Sequence, residues 1–135
     1  MHMQGMPQTM QDNPQYQDVV TEVADFLLAR VNACEHAGIE KNRLLLDPGF
    51  GFGKTRIHNI SIVQQLEQLA KLDFPLLVGL SRKSVLGQVT GNDVDARLYA
   101  SVAAAVISTM KGAKIVRVHD VKATVEALKV VTAIF

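Results

Sequence analysis

The chain has 135 residues, 48% hydrophobic and 20% charged, with 14 basic against 13 acidic side chains and a net charge of +1. Such a balance suits a core-forming domain, and with no basic run or aromatic interleaving it offers no footprint for nucleic acid. No apolar stretch approaches the roughly 18 residues of a spanning helix, no signal peptide is visible, and a lone Cys34 excludes an internal disulfide, so no membrane partner and a reducing cytoplasm are expected.

Met1-His2-Met3 reads as the last residues of a strand, as if the chain began inside one. From Tyr16 to His36 the spacing of Val19, Val20, Val23, Phe26, Leu27 and Val31 predicts a helix closed by Gly38. Cys34 reads as a packing residue of that helix. Leu44-Leu45-Leu46 is a short apolar run ending in Asp47, followed by the glycine- and phenylalanine-rich stretch Pro48 to Lys54. Asn59 to Leu72 predicts a second helix with Ile60, Ile62, Val63, Leu66 and Leu69 inward. Pro75 to Leu80 is the next apolar run, ending in Ser81-Arg82-Lys83, with a helix start at Ser84. Asp93 to Lys111, rich in small residues, predicts a third helix ended by Gly112. Ala113 to Val116 then leads into Arg117-Val118-His119-Asp120, and Lys122 to Ile134 predicts a last helix with Val125, Leu128 and Val131 inward.

The charged ends recur: positions 47, 83 and 117 lie 36 and 34 residues apart, about the length of one βαβ unit. Continuous apolar runs are what parallel strands buried on both faces require, and ligands bind beyond the carboxyl ends of such strands. The expected class is α/β, with about four βα units in one domain over residues 1–135. A closed (β/α)8 barrel takes about 250 residues, so the expectation is a half-barrel without its N-terminal half.

The stretch Asp47-Pro48-Gly49-Phe50-Gly51-Phe52-Gly53-Lys54-Thr55 is not a P-loop, because Pro48 stands where G-x-x-x-x-G-K-[ST] needs glycine, and its glycines also miss the G-x-G-x-x-G spacing. A sharply turning backbone that brings Phe50 and Phe52 against a flat ligand is the functional reading. A plain structural loop is the alternative, with Asp47 as its cap. An Asp, a Lys and an Arg/His pair converging on one rim are costly as mere structure. A carboxylate pairs with the N–H groups of a heterocycle, a guanidinium stacks on its face, and Lys donates to a carbonyl. Arg117 and His119, alternate residues on an extended segment, suit a phosphate or pyrophosphate. Ser84 at a helix start offers a backbone donor to a carboxylate.

Met1-His2-Met3-Gln4-Gly5, Asp47 to Lys54, Gly79-Leu80-Ser81-Arg82-Lys83-Ser84 and Arg117-Val118-His119-Asp120-Val121, in this order, resemble the C-terminal half of bacterial dihydropteroate synthase. The resemblance implies a TIM (β/α)8 barrel, a pterin-binding domain. Its transferase activity condenses 6-hydroxymethyl-7,8-dihydropterin pyrophosphate with 4-aminobenzoate, giving 7,8-dihydropteroate and pyrophosphate for folate synthesis, and sulfonamides compete with the aminobenzoate. It implies that Asp47 holds the amino-pyrimidine edge of the pterin, Lys83 its ring oxygen and nitrogen, and that Arg117 stacks on its face. It further implies that Arg117 and His119 contact the leaving pyrophosphate, that Phe52, Lys83 and Ser84 line the aminobenzoate site, and that Gly79 and Met1 lie against the substrate. Lys83, Arg117 and His119 are the catalytic candidates. Mg2+ is the implied cofactor, held by the absent half and by the pyrophosphate, with no metal ligand expected in this chain, and the implied assembly is a homodimer.

Two alternatives stay open on the residues: a non-catalytic half-barrel binding pterin or anions as an assembly unit, and a pterin-binding methyltransferase relative. Of the other histidines, His36 and His58 read as surface or capping residues at helix ends, and no His, Cys and carboxylate set has zinc spacing. His2, at a strand end, is open to a site role.

Overall fold

The computed structural model describes residues 1–135, in which the apolar runs become extended segments laid side by side in chain order. Helix α1 spans Val19–His36, α2 Arg56–Gln64, α3 Leu66–Ala70, α4 Ser84–Thr90, α5 Leu98–Met110 and α6 Val121–Ile134; strand β1 is Leu76–Val78 and β2 Ala113–Val116. β1 and β2 pair in parallel, with Leu76 opposite Ala113 and Val78 opposite Val116. Leu46 extends the same sheet as a single parallel bridge to Leu76, its N–H donating to Pro75 O at 2.9 Å and its O accepting from Leu77 N at 2.8 Å. The opening segment is no strand, yet His2 N–H reaches Asp47 O at 3.0 Å. Four extended segments are thus ordered as four sequential units of a barrel wall, with helices outside.

The core lies between that wall and the helices. Val19, Val20, Val23, Leu27 and Val31 from α1 meet Ile62, Leu66 and Leu69 from α2 and α3, and Leu46, Leu76, Val78 and Ala113 from the extended segments. Each large apolar side chain taken from water contributes roughly 1.5–3 kcal/mol, which is why these short strands hold without long ladders. Asp18 caps α1, accepting from Thr21 N–H at 2.8 Å, and Thr55 with His58 forms a reciprocal box at the start of α2, both bonds 3.2 Å. His58 is therefore a capping residue.

Three elements differ from expectation. The helix predicted from Asn59 to Leu72 starts at Arg56 and kinks at Gln65, whose φ of −110° and ψ of 19° leave the helical region, although its N–H still donates to Ser61 O. The helix predicted from Asp93 begins at Leu98, after a 3₁₀ turn at Val94–Ala96, because the Arg97 side chain folds back to donate to Asn92 O and Arg82 O, both at 2.9 Å. Along α6 only Thr124 is buried, and Val125, predicted inward, is exposed, since the helix packs chiefly on α5.

Candidate active site

The turn after Leu46 is built by glycine. Gly49 and Gly53 have φ of +71° and +63°, and a Cβ on them would collide with the carbonyls of His2 and Gln4, so the backbone closes on the opening segment where any side chain would hold it off. Asp47 Oδ1 accepts from Gly49 N–H at 2.7 Å and caps this turn, as the plain-loop reading expects; that is its carboxylate's one protein hydrogen bond, which leaves acceptor capacity toward the rim. Phe50 does not face a ligand. It is fully buried in the core, because a phenyl ring gains more from packing against the wall than from exposure at a rim. Phe52, half-buried, stays at the rim with the Lys83 ammonium 4.7 Å above its ring.

Lys83 precedes α4 and also donates to Phe50 O. Burial pulls its pKa below the ordinary lysine range; the Asp47 carboxylate opposes that shift and the Arg117 guanidinium adds to it, so the three groups share one electrostatic neighbourhood. Neither Lys83 nor Arg117 has an ion-pair partner among the salt bridges of the chain. The guanidinium of Arg117 lies flat on Gly79, where an added Cβ would stand 2.9 Å from Nη2. Gly79, Ser81, Lys83, Arg117 and His119 line one cleft of about 450 Å³, together with Arg82, Val94 and Val118. Two unpaired cations and an imidazole there favour an anion.

Residues that carried no assigned role in the sequence hold this cleft in shape. Arg82, in the left-handed region at φ +55°, grips Asp120 with two bonds, Nε–Oδ2 at 3.1 Å and Nη2–Oδ1 at 2.8 Å, and that pairing pushes the Asp120 carboxyl below its usual range. Ser101 Oγ accepts from Arg82 N–H at 2.9 Å. Buried Ser81 receives the His119 backbone N–H at 3.1 Å and lies 3.0 Å from His119 Nδ1, fastening the end of β1 to the end of β2. Ser84 is exposed at the first position of α4, and Met1 is exposed beside His2, which is itself buried under the glycine-rich turn. The only advance signal for this support was the charged run itself.

No three His, Cys, Asp or Glu side chains cluster closely enough to hold a metal ion, and the cleft's own free groups are cationic. The chain by itself does not fit a Mg2+ cage.

Known proteins resemble this chain in both sequence and fold. Residues 1–119 match the family described as pterin binding enzyme. The chain is 58% identical over 131 residues to dihydropteroate synthase of Neisseria meningitidis serogroup C, covering 96% of this chain and 46% of that protein, and 53% identical over 133 residues to that of Escherichia coli strain K12, covering 98% and 47%. Among solved structures, Yersinia pestis dihydropteroate synthase in a sulfonamide drug complex superposes with a TM-score of 0.95 at 51% identity, over 98% of this chain and 48% of that one. The Xanthomonas albilineans enzyme in complex with 7,8-dihydropteroate does so with a TM-score of 0.88 at 49% identity, over 90% and 47%. The chain spans about half the length of the curated relatives it matches.

Proposed function

The chain belongs to the pterin-binding enzyme family, and on that premise we propose that its cleft is part of a dihydropteroate synthase site, in a single pterin-binding barrel domain over residues 1–135. The observation that carries this is that Lys83 donates to Phe50 O in the turn that Asp47 caps and lines one cleft with Arg117: one carboxylate with acceptor capacity to spare and two cations without ion-pair partners at the ends of adjacent parallel segments. A pterin has the complementary edge, since its amino-pyrimidine N–H groups would donate to Asp47 and its ring oxygen and nitrogen would meet Lys83, while the Arg117 plane stacks on the ring.

The reaction then needs little covalent chemistry from the protein. The arylamine nitrogen of 4-aminobenzoate attacks the pterin methylene carbon, the carbon–oxygen bond to pyrophosphate breaks, and the proton of the amine passes to water as pyrophosphate leaves. Arg117 and His119 would hold the departing pyrophosphate, whose growing charge they stabilise. Phe52, Lys83 and Ser84 would form one wall for the aminobenzoate, holding its nitrogen in line with the methylene. Gly79 and Met1 would lie against the bound substrate, Gly79 by letting Arg117 sit low over the strand end. Mg2+ has no cage among these residues. The same reading makes the protein a cytoplasmic homodimer.

Calorimetric titration with a pterin pyrophosphate analogue, run beside Lys83→Ala, tests the assignment: the chain binds and the variant loses binding. No binding by a folded parent chain would sink it. A non-catalytic half-barrel is the second reading, favoured by the exposure of wall residues Leu45 and Ile115. Turnover with both substrates separates the two.

A further inference from the structure

Beneath the glycine-rich turn lies a charged group with no part in the chemistry above. Lys54 is 3% exposed, has no carboxylate partner, and directs its Nζ to three acceptors: His2 Nδ1 at 2.8 Å, Gly49 O at 2.9 Å and Phe52 O at 3.1 Å. A buried ammonium is costly unless all three of its hydrogens are met, and here they are. Gly49 and Phe52 are the two ends of one turn, closed by the Phe52 N–H to Gly49 O bond at 3.1 Å. The middle and rim of that turn, Phe50 O and the Phe52 ring, are what Lys83 rests on.

We propose that Lys54, held by His2, is a positioning residue that sets the height of the 49–52 turn and thereby places Lys83 and Phe52 at the rim. The proposal deepens the functional reading above, on which it rests for the nature of the ligand but not for the geometry. Two ammonium groups grip one turn and take carbonyls from different residues, so neither competes with the other for an acceptor. Asn59 fixes the same turn laterally, its Oδ1 accepting from Gly51 N–H at 2.8 Å while its Nδ2 donates to Thr55 O at 2.7 Å. His2 meets the edge of Phe26 at a centroid distance of 4.9 Å, so the clamp is anchored on α1.

The test uses the chain with Lys54→Met, which keeps the length and removes the donors, and Leu69→Ala as a destabilised core control. The first readout needs no ligand: the ε-methylene proton resonances of Lys83, displaced by the ring current of Phe52. We expect this displacement to collapse in Lys54→Met and persist in Leu69→Ala. Should Lys54→Met fail to fold, His2→Gln replaces it, with a smaller change in the same direction. The second readout is affinity for the pterin pyrophosphate analogue, expected to fall roughly tenfold, the cost of misplacing one charged contact. An undisturbed Lys83 resonance in the folded variant overturns the proposal, as does parent-like pterin affinity. A Lys83 resonance that responds to Lys54→Met in a chain that binds no pterin upholds the positioning role and defeats the functional reading.

Discussion

Gly79→Ala would bring a methyl group 2.9 Å from Arg117 Nη2, so the guanidinium must lift off the strand end. The expected result is a folded protein that holds the pterin pyrophosphate analogue several-fold more weakly, read by calorimetry. His2 supplies a prediction of another kind. Burial, and then the neighbouring Lys54 charge, lower its pKa from 6.5 to about 4, so it is neutral at pH 7, and its Nδ1 must carry the lone pair that meets the ammonium. The folded state then holds fewer protons on His2 than the unfolded chain between those values. Its contribution is complete above pH 6.5 and is lost as the pH falls toward 4. Urea unfolding across that range, compared with His2→Gln, checks it: the parent should lose more stability than the variant. At this scale the sequence was uneven. Asp47, Lys83 and Arg117 stood out because charge at the end of an apolar run is unusual, whereas Lys54 looked like one more residue of a glycine-rich stretch. Phe50 and Phe52, alike on paper, part company because the turn between them sends one ring inward.

The turn carrying Ser81-Arg82-Lys83 costs conformational energy, since Arg82 sits at φ +55°, a region disfavoured by roughly 1–2 kcal/mol for residues with a side chain. Its two bonds to Asp120 and the Ser101 contact offset that cost, and they tie the turn to the start of α6. Asp120→Asn should leave the fold standing but let the turn relax, so pterin binding weakens while the circular dichroism is unchanged. At the start of α2, Thr55→Ala removes one half of the box with His58 and should destabilise the chain by about 1 kcal/mol in urea unfolding. Helix α1 was legible almost to its ends, because apolar periodicity and the Asp18 cap agree there; α6 was legible in extent but not in which face it buries. The kink at Gln65 was not, because no proline or glycine marks it. Nor was the delayed start of α5, decided by where the Arg97 side chain turns, a tertiary choice that no local pattern records.

Leu45 and Ile115 are 45% and 41% exposed on the face of the wall away from the helices, and Val121, Val125 and Val130 are exposed on α6. Apolar surface of this extent favours association, so sedimentation at rising concentration should show species heavier than the 14.7 kDa monomer; a monomer throughout would count against the homodimer. The class of fold was legible from the even interval between charged strand ends, but the sheet was shorter than the runs suggested, since Leu44–Leu46 contributes one bridge and not a full ladder. The order of the wall has a further meaning for how the chain is made. Each segment bonds only to the one before it, His2 to Asp47, Leu46 to Leu76, Val78 to Arg117, so every closure spans roughly 30 to 45 residues and none waits for the far terminus. During synthesis each new segment would emerge beside the edge left by the one before it, and assembly could keep pace with translation.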